Sequence, residues 1–417
     1  MARKMKDSGI EWIGEIPEGW EVTKIKHIVS SVTDIDHFMP DSVESGIPYL
    51  MIGNLKDLSS SIDWDSSKKI SIEDYKKLSI KSRPQKGDII FARYASIGIT
   101  CYIDTDRDFL VSYACLTIHP SDLIIGKFLS YYLKSSSFAE DVLRRTNSNT
   151  QGNVGKDSLV NATIVLPSII EQTQIVNFLE AKCSDINAML SKTRSSIEEY
   201  KKLKHAVITQ AVATQQCSHI KLKYLMNVIV DCPHETPTYS FTGNYYVIRT
   251  ADQALASLRC DEDMYRLDAS EYKKRTRRLT LDKDDIVYGR EGERWGLACI
   301  VPESNKYCLG QRIMQFRCNT KFLYPKYAMY ALNSEPVYLQ GVADTIGSTS
   351  PHVNISTVCN YLLPVPALTE QKEIANYLDA KCAEIDRLIA KKEQLVKELE
   401  SYKKSLIYEV VTGKREV

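Results

Sequence analysis

The chain carries one 20-residue stretch twice, as EQTQIVNFLEAKCSDINAML at residues 171–190 and as EQKEIANYLDAKCAEIDRLI at residues 370–389. The two copies align without a gap at a constant offset of 199 residues. That period is much longer than the roughly 20–50 residues of solenoid and propeller repeats. The repeat therefore indicates a duplicated half-molecule.

Each copy belongs to a longer segment with helical periodicity, from Glu171 to Thr214 and from Glu370 to Gly413. Ser168 and Glu171 have the spacing of a capping box before the first segment. About 45 residues at about 1.5 Å each would give a helix roughly 65 Å long. We expect the two helices to pair with each other as a coiled coil.

Apolar residues at intervals of three and four define the predicted seam of that coiled coil. In the second copy its members are Leu378, Ile385, Leu388, Leu395, Leu399, Tyr402 and Leu406, interrupted by Lys381 and Lys392. In the first copy they are Leu179, Ile186, Met189, Tyr200, Leu203 and Val207, interrupted by Thr193 and Ser196.

Composition limits the class of protein. A length of 417 residues suggests about two to four domains, and the net charge of +1 gives no global sign of nucleic-acid binding. The 11 cysteines include no CxxC pair, which fits thiols packed as small core residues in a reducing cytoplasm. Cys232 and His234 are too few ligands for zinc, so we predict no metal site. We find no apolar run of membrane-spanning length and expect no membrane association.

Outside the helices, the second half repeats landmarks of the first. The segment KLKYL at 221–225 resembles KIKHI at 24–28, and two predicted hairpins, at 86–103 and 283–301, place Arg93 opposite Arg290 at an offset of 197. We predict mixed α/β (α+β) globular domains at 1–165 and 217–365, each followed by a repeated spacer helix, at 166–216 and 366–417. The opening DSGIEWIGEIPEGWEV, with bulky anchors around a Pro-Gly turn, is expected to dock on another part of the chain.

The sequence contains no nucleotide-binding glycine loop, methyltransferase motif or GxSxG element, so we assign no catalytic residue. Local patterns favour nucleic-acid contact instead, since Arg can bind guanine and Asn or Gln can bind adenine through paired hydrogen bonds. Lysines and further arginines would contact phosphates. The candidate DNA-binding residues in the first half are Arg93, Tyr94, Ser96, Arg144, Arg145, Asn147, Asn149 and Gln151. Those in the second half are Lys273, Lys274, Arg275, Arg277, Arg278, Arg290, Arg294, Trp295, Ser348, Thr349 and His352.

With these patterns in view, the whole chain resembles the specificity subunit of type I restriction-modification systems. The resemblance rests on DSGIEWIGEIPEGWEV at the start, on LPSIIEQ and VPALTEQ at the helix entries, and on the endings ITQAVATQ and IYEVVTGK. It implies two target-recognition domains held apart by an antiparallel coiled coil with pseudo-two-fold symmetry. It also implies that the chain reads a bipartite, asymmetric site on double-stranded DNA, one half per domain.

The same resemblance implies a non-catalytic chain that binds two modification subunits, which methylate adenine with S-adenosylmethionine, and that restriction subunits can join. S-adenosylmethionine, ATP and Mg²⁺ would be bound by these partners and no cofactor by this chain. One alternative within the fold is the specificity subunit of a methyltransferase without a restriction partner, which a neighbouring helicase-nuclease gene would argue against. An alternative from another class is a coiled-coil scaffold or self-contained enzyme, which methyl transfer by the purified chain alone would favour.

Overall fold

The structure, a computed structural model, describes residues 3–56, 61–94, 99–145, 154–213, 217–259, 261–292, 294–344 and 351–417. The chain divides into two compact units, one formed by residues 1–194 and 394–417 and the other by residues 195–393. Each unit therefore contains one globular part and about half of each long helix. No helix in the described part of the chain is long and apolar enough to cross a membrane.

Among the described residues, the globular part of the first unit contains short strands and four short α-helices. Its strands are β1 (Met5–Asp7), β2 (Glu15–Pro17), β3 (Glu21–Lys24), β4 (Val29–Thr33), β5 (Ile47–Leu50), β6 (Leu55–Lys56), β7 (Ser61–Ile62), β8 (Lys68–Ile70), β9 (Ile89–Ala92), β10 (Thr100–Tyr102), β11 (Leu110–Val111), β12 (Cys115–Pro120) and β13 (Thr163–Leu166). Its helices are α1 (Ile72–Leu78), α2 (Gly126–Leu133), α3 (Ser136–Arg145) and α4 (Lys156–Val160). The first long helix, α5 (Ile169–Val212), follows.

The second unit repeats this series. Its strands are β14 (Ser218–Lys221), β15 (Met226–Asp231), β16 (Tyr245–Ile248), β17 (Gln253–Ala254), β18 (Ser257–Leu258), β19 (Arg266–Leu267), β20 (Ile286–Gly289), β21 (Ala298–Ile300), β22 (Tyr307–Leu309), β23 (Ile313–Cys318) and β24 (Leu362–Val365). Its helices are α6 (Leu222–Leu225), α7 (Ala269–Arg275), α8 (Pro325–Leu332), α9 (Glu335–Val342) and α10 (Ile355–Cys359). The second long helix, α11 (Leu368–Val411), follows.

The sheets of the two units have the same strand order. The larger sheet runs β10-β9-β12-β4 in the first unit and β21-β20-β23-β15 in the second, and the smaller runs β11-β5-β8 and β22-β16-β19. The predicted hairpins are confirmed, since β9 pairs with β10 and β20 with β21, both antiparallel. Both units are therefore mixed α/β structures of one topology, as the duplication predicts.

The two long helices have the same length, 44 residues each, and their bounds differ by the offset of the repeat. The predicted capping box is present, because the Glu171 amide donates to Ser168 Oγ and the Ser168 amide to the Glu171 carboxylate. Within each unit the helices run antiparallel. In the first unit, Lys403 donates to Asn187 at 2.9 Å and Arg194 pairs with Glu400.

In the second unit, the same arrangement brings Lys204 to Asp386, with 2.9 and 2.8 Å between Nζ and the two carboxylate oxygens. Lys392 lies over the ring of Tyr200. Lys204 and Lys403 are equivalent in the repeat, as are Asn187 and Asp386. Both lysines are almost fully buried, so a buried polar layer lies at the same place on the long helices in both units.

The seam predicted from sequence is correct at Leu179, Ile186, Leu378, Ile385 and Leu406, which are all buried. Several other predicted apolar members are exposed, namely Met189, Leu203, Leu395 and Tyr402, whereas Val207 and Leu399 are partly buried against the cores. The buried positions shift to neighbouring residues: Cys183, Leu190, Ile197 and Lys204 on α5, and Cys382 and Lys403 on α11. The long aliphatic stem of a lysine can fill a seam while its ammonium group finds a carboxylate or amide partner.

A buried glutamine joins each globular part to the start of its long helix. Gln172 accepts from the Ile125 amide and donates to the carbonyls of Leu123 and Pro167. Gln371 makes the same three hydrogen bonds, to Tyr324, Phe322 and Pro366, which are the equivalent residues of the second unit. Both side chains are completely buried, and the short helices α2 and α8 are thereby fixed against α5 and α11.

The N-terminal segment docks on the helix ends of its own unit. Ile13, Ile16 and Trp20 are buried in the core that also contains Leu406 and Val410 of α11. Gly413 follows α11 with a φ of +72°, and a β-carbon there would lie 2.4 Å from Pro17 Cδ. A glycine is therefore needed both by the backbone and by the close approach of Pro17.

Candidate nucleic-acid interface

Arg93 and Arg290, predicted as base-reading residues, both form ion pairs within the protein. Arg93 Nη1 lies 2.9 Å from Asp34 Oδ2, and Arg290 holds both oxygens of Asp231 at 3.2 Å. In the first unit, β4 leads to Asp34 and β9 leads to Arg93, and both strands run antiparallel to β12. In the second unit, β15 ends at Asp231 and β20 leads to Arg290, and both run antiparallel to β23. The C-terminal ends of the two strands therefore lie at the same edge of each sheet. The ion pair thus closes the same edge of the sheet in both units.

The environment of Arg290 leaves little of it exposed, since its side chain has a relative accessibility of 9%. Its Nη2 also lies 2.8 Å from the Glu291 carboxylate, and Nη1 donates to the Val353 carbonyl. His352 pairs with Glu291 through a single antiparallel bridge and is half-buried. In this structure Arg290 is therefore a link between three segments at the sheet edge.

The other residues of the second hairpin also contact the protein itself. Arg294 Nη1 donates to the carbonyls of Ala251 and Gln253 at 2.8 and 3.0 Å. Trp295 is buried and stacks on Tyr338, with ring centroids 4.5 Å apart. Trp295 is consequently part of the hydrophobic core of its unit, whereas Arg294 remains near the surface.

Tyr94, in the first hairpin, is half-buried, with the Arg93 guanidinium 6.0 Å from its ring centroid. Arg144 and Arg145 lie in the last turn of α3. The remaining candidates lie outside the described residues: Ser96, Asn147, Asn149, Gln151, Ser348 and Thr349. Their role in DNA binding stays a prediction.

Both arginines of α3 have acidic partners. Arg144 pairs with Glu140 at 2.8 Å and Glu11 at 3.3 Å and lies over the Trp12 ring, while Arg145 pairs with Asp141 at 2.9 Å. A phosphate would have to compete with these carboxylates for the guanidinium groups. The two arginines are thus less available to DNA than their sequence context indicates.

The basic cluster of the second unit, by contrast, is largely open to solvent. Four of its five members are exposed: Lys273, Lys274, Arg277 and Arg278. Three of these, all but Lys273, line a surface pocket of about 400 Å³ together with Pro233, His234 and Glu235. Glu235 pairs with Lys274 at 2.8 Å, and this carboxylate raises the pKa of the Lys274 ammonium group.

Arg275 differs from its neighbours because it is buried and its donors are used by backbone carbonyls. It donates to Leu309 at 3.0 Å, to Gly310 at 2.8 Å and to Glu235 at 3.0 Å. A role in direct phosphate contact would require these bonds to break. Arg275 instead links the turn at Glu235, which lines the pocket, to Leu309 and Gly310 at the end of β22.

One pattern escaped the sequence reading. The segments DIDHFMP at residues 34–40 and DCPHETP at residues 231–237 share an Asp, a His and a Pro at the 197-residue offset. Their Asp residues are the partners of Arg93 and Arg290. The spacing D-x-x-H-x-x-P in both halves was the available signal. We refer to these segments as the His turns.

No group of three or more His, Cys, Asp or Glu side chains suited to a metal occurs among the described residues. Cations and hydrogen-bond donors are frequent on the candidate surface, beside the carboxylates of Asp231 and Glu235. These cations and donors can bind phosphate and base edges.

Comparison with known proteins agrees with this chemistry. The model of the type I restriction modification DNA specificity domain matches residues 17–199 and 232–399. The MjaVIII specificity subunit of Methanocaldococcus jannaschii is 21% identical over 96% of this chain and 93% of its own length. The EcoBI specificity subunit of Escherichia coli is 29% identical over 31% of this chain and 27% of its own length.

The fold itself has a solved counterpart. A chain from a structure that concerns the assembly and conformational transition of a type I restriction-modification system superposes with a TM-score of 0.70, at 18% identity. The match covers 96% of this chain and 99% of the other. With the family model matching most of the sequence in both halves, the chain belongs to the family of type I restriction-modification DNA specificity subunits.

Proposed function

We propose that this specificity subunit reads a bipartite, asymmetric site on double-stranded DNA, with one half of the site read by each globular part. The observation that carries the proposal is the duplication of one sheet topology with divergent loops. Arg93 in the first unit and Arg290 in the second lie at the same edge of the larger sheet. The loop residues that follow the two arginines in the sequence differ. A shared scaffold with different loop sequences suits two readers of different base sequences.

In this proposal the chain also assembles the enzyme. Two modification subunits dock on it, because two similar halves offer two similar surfaces, and they methylate adenine with S-adenosylmethionine. Restriction subunits join that assembly in the cytoplasm, and ATP and Mg²⁺ are bound by partner subunits. The chain itself binds no cofactor and contributes recognition and geometry.

The test combines stoichiometry with a domain exchange. The purified chain and its cognate modification subunit should form a complex with two modification subunits per chain, as measured by native mass spectrometry. Replacing residues 217–365 with the corresponding part of a relative should change one half of the methylated site and leave the other half unchanged, as read by methylome sequencing. A one-to-one complex at saturating partner, or methyl transfer by the chain alone, would overturn the proposal.

A further inference from the structure

We propose that the two His turns, residues 34–40 and 231–237, are DNA-backbone contacts, in which an exposed histidine and the adjacent pair of lysines bind phosphates. This inference rests on the proposed DNA reading. It adds a phosphodiester-binding element that is the same in both halves.

The two turns have nearly the same pattern of burial. In both, the second residue (Ile35 or Cys232) and the last (Pro40 or Pro237) are buried, and the histidine and the two residues after it are exposed. Each turn begins at the Asp that is fixed by the ion pair to Arg93 or Arg290. The turns are therefore anchored at both ends and present their middle to solvent.

The retention of histidine is not explained by a shared contact inside the protein. His37 stacks on Tyr113 with ring centroids 4.6 Å apart, whereas His234 Nε2 lies 3.0 Å from Asp231 Oδ2. The residue equivalent to Tyr113 in the second half is Gly310, which offers no ring. Two exposed histidines kept at one position with different neighbours indicate a common ligand outside the chain.

Two lysines accompany each turn at the same offset. The sequence Tyr-Lys-Lys ends at Lys77 in α1 and at Lys274 in α7, and all four lysines are exposed. Lys77 lies over the ring of Phe38, and Lys274 pairs with Glu235, the equivalent residue of the other turn. The end of the helix and the His turn thus form one lysine-bearing surface in each unit, on which the exposed acids Asp36 and Glu235 are paired with Lys81 and Lys274.

Phosphate is the ligand that best matches a surface common to both halves. The two halves would read different bases, but the backbone of DNA is the same at both half-sites. In the second unit, Arg277 and Arg278 extend the lysine-bearing surface around His234 in the pocket described above. The buried Arg275 holds the carbonyls of Pro233 and Glu235, on either side of His234, which orders the turn before DNA binds.

The experiment uses the full chain assembled with its modification subunits and a duplex that carries its methylation site. We expect His234→Ala and His37→Ala each to weaken binding about tenfold, on cognate and scrambled duplexes alike. We expect Lys273→Ala with Lys274→Ala, and Lys76→Ala with Lys77→Ala, to reduce the salt dependence of binding by about 0.9 per lost phosphate contact. Lys321→Ala, which replaces an exposed lysine in the turn before α8, is the matched control and should change neither quantity.

Three results would overturn the inference. Loss of discrimination at one half-site only would assign the turns to base reading. Loss of the modification subunits from the complex would assign them to protein docking. Unchanged affinity and salt dependence would leave them without a role in binding. If instead the complex of the unsubstituted chain does not distinguish its site from scrambled DNA, the proposed function is wrong. The backbone contact is then judged from the salt dependence of binding alone.

Discussion

Lys204 of α5 donates to both carboxylate oxygens of Asp386 of α11, and the equivalent Lys403 donates to the amide oxygen of Asn187. The Lys204 side chain is 6% exposed, so removing its partner leaves a desolvated ammonium group. We expect Asp386→Ala to lower the free energy of unfolding by about 1–3 kcal/mol, less than for a fully buried pair because Asp386 is half-exposed.

The matched control is Asp386→Asn, which copies the contact of the first unit. It should cost less than the alanine variant because an amide oxygen can still accept from Lys204. Urea unfolding followed by circular dichroism gives both values, and equal losses for the two variants would contradict the role assigned to the acceptor.

Trp295→Ala should destabilise the second unit by about 3–5 kcal/mol, because the indole is buried and stacked on Tyr338. Arg294→Ala removes two hydrogen bonds near the surface and should cost only about 1 kcal/mol. Thermal unfolding distinguishes the two variants, with Trp295→Phe as the control that keeps an aromatic ring.

The combined replacement of Arg290, Arg294 and Trp295 is expected to abolish recognition of the second half-site. If Arg294→Ala alone does so in a fully folded chain, Arg294 reads DNA directly.

Most thiols should resist alkylation in the native chain. Burial raises the pKa of Cys299, Cys308 and Cys318 to about 12, so at pH 8 these thiols are protonated and poor nucleophiles. Among the described cysteines, the half-buried Cys217 and Cys359 should react with iodoacetamide before these three, as measured by peptide mass spectrometry. Modification of Cys299 at the same rate in native and urea-unfolded protein would contradict this expectation.

The spacing between half-sites should follow the length of the long helices. Four residues inserted between Arg194 and Tyr200 of α5, just past Thr193, and four between Lys392 and Glu400 of α11 would add about 6 Å of rise and about 40° of rotation. One base pair of B-DNA turns about 35° and rises about 3.4 Å. Because a domain turned away from its groove loses its base contacts, we expect the spacer to grow by one base pair, with two allowed by the rise.

The insertions must carry apolar residues at seam positions, so that each helix pair keeps its packing on both sides. Methylome sequencing of a strain that carries the lengthened chain reads the result. An unchanged spacer, or altered bases within either half-site, would show that the helices do not set the distance.

The sequence predicts the long helices and the hairpins because a duplication reveals each element twice. It misplaces part of the seam, since Leu395 and Tyr402 fit the same three-and-four spacing as the buried residues beside them. Hydrophobicity alone favours leucine over lysine at a buried position, and only the partner on the other helix explains why Lys403 is buried. Such partners lie far away in the sequence, as Asn187 does.

The candidate site shows the same limit. Arg290 is predicted as a base reader from its sequence neighbours, and that role stays a prediction. Its ion pair with Asp231 cannot be seen from those neighbours, because Asp231 lies 59 residues earlier. The repeat indicates that Arg290 has an Asp partner, because an Asp and an Arg recur at the equivalent positions Asp34 and Arg93. Pairs of charged residues retained at one offset are therefore better indicators of structure than single arginines in loops.

The polar layers of the long helices also bear on the history of the chain. Each helix carries an acceptor, Asn187 or Asp386, and a lysine seventeen residues further along. In an antiparallel pair, the acceptor of one helix meets the lysine of the other, so a helix of this design is complementary to a second copy of itself. A chain of half this length would already hold what a symmetric dimer requires. After fusion of two such genes, the two acceptor positions could mutate independently. The difference between Asn187 and Asp386 is consistent with such divergence.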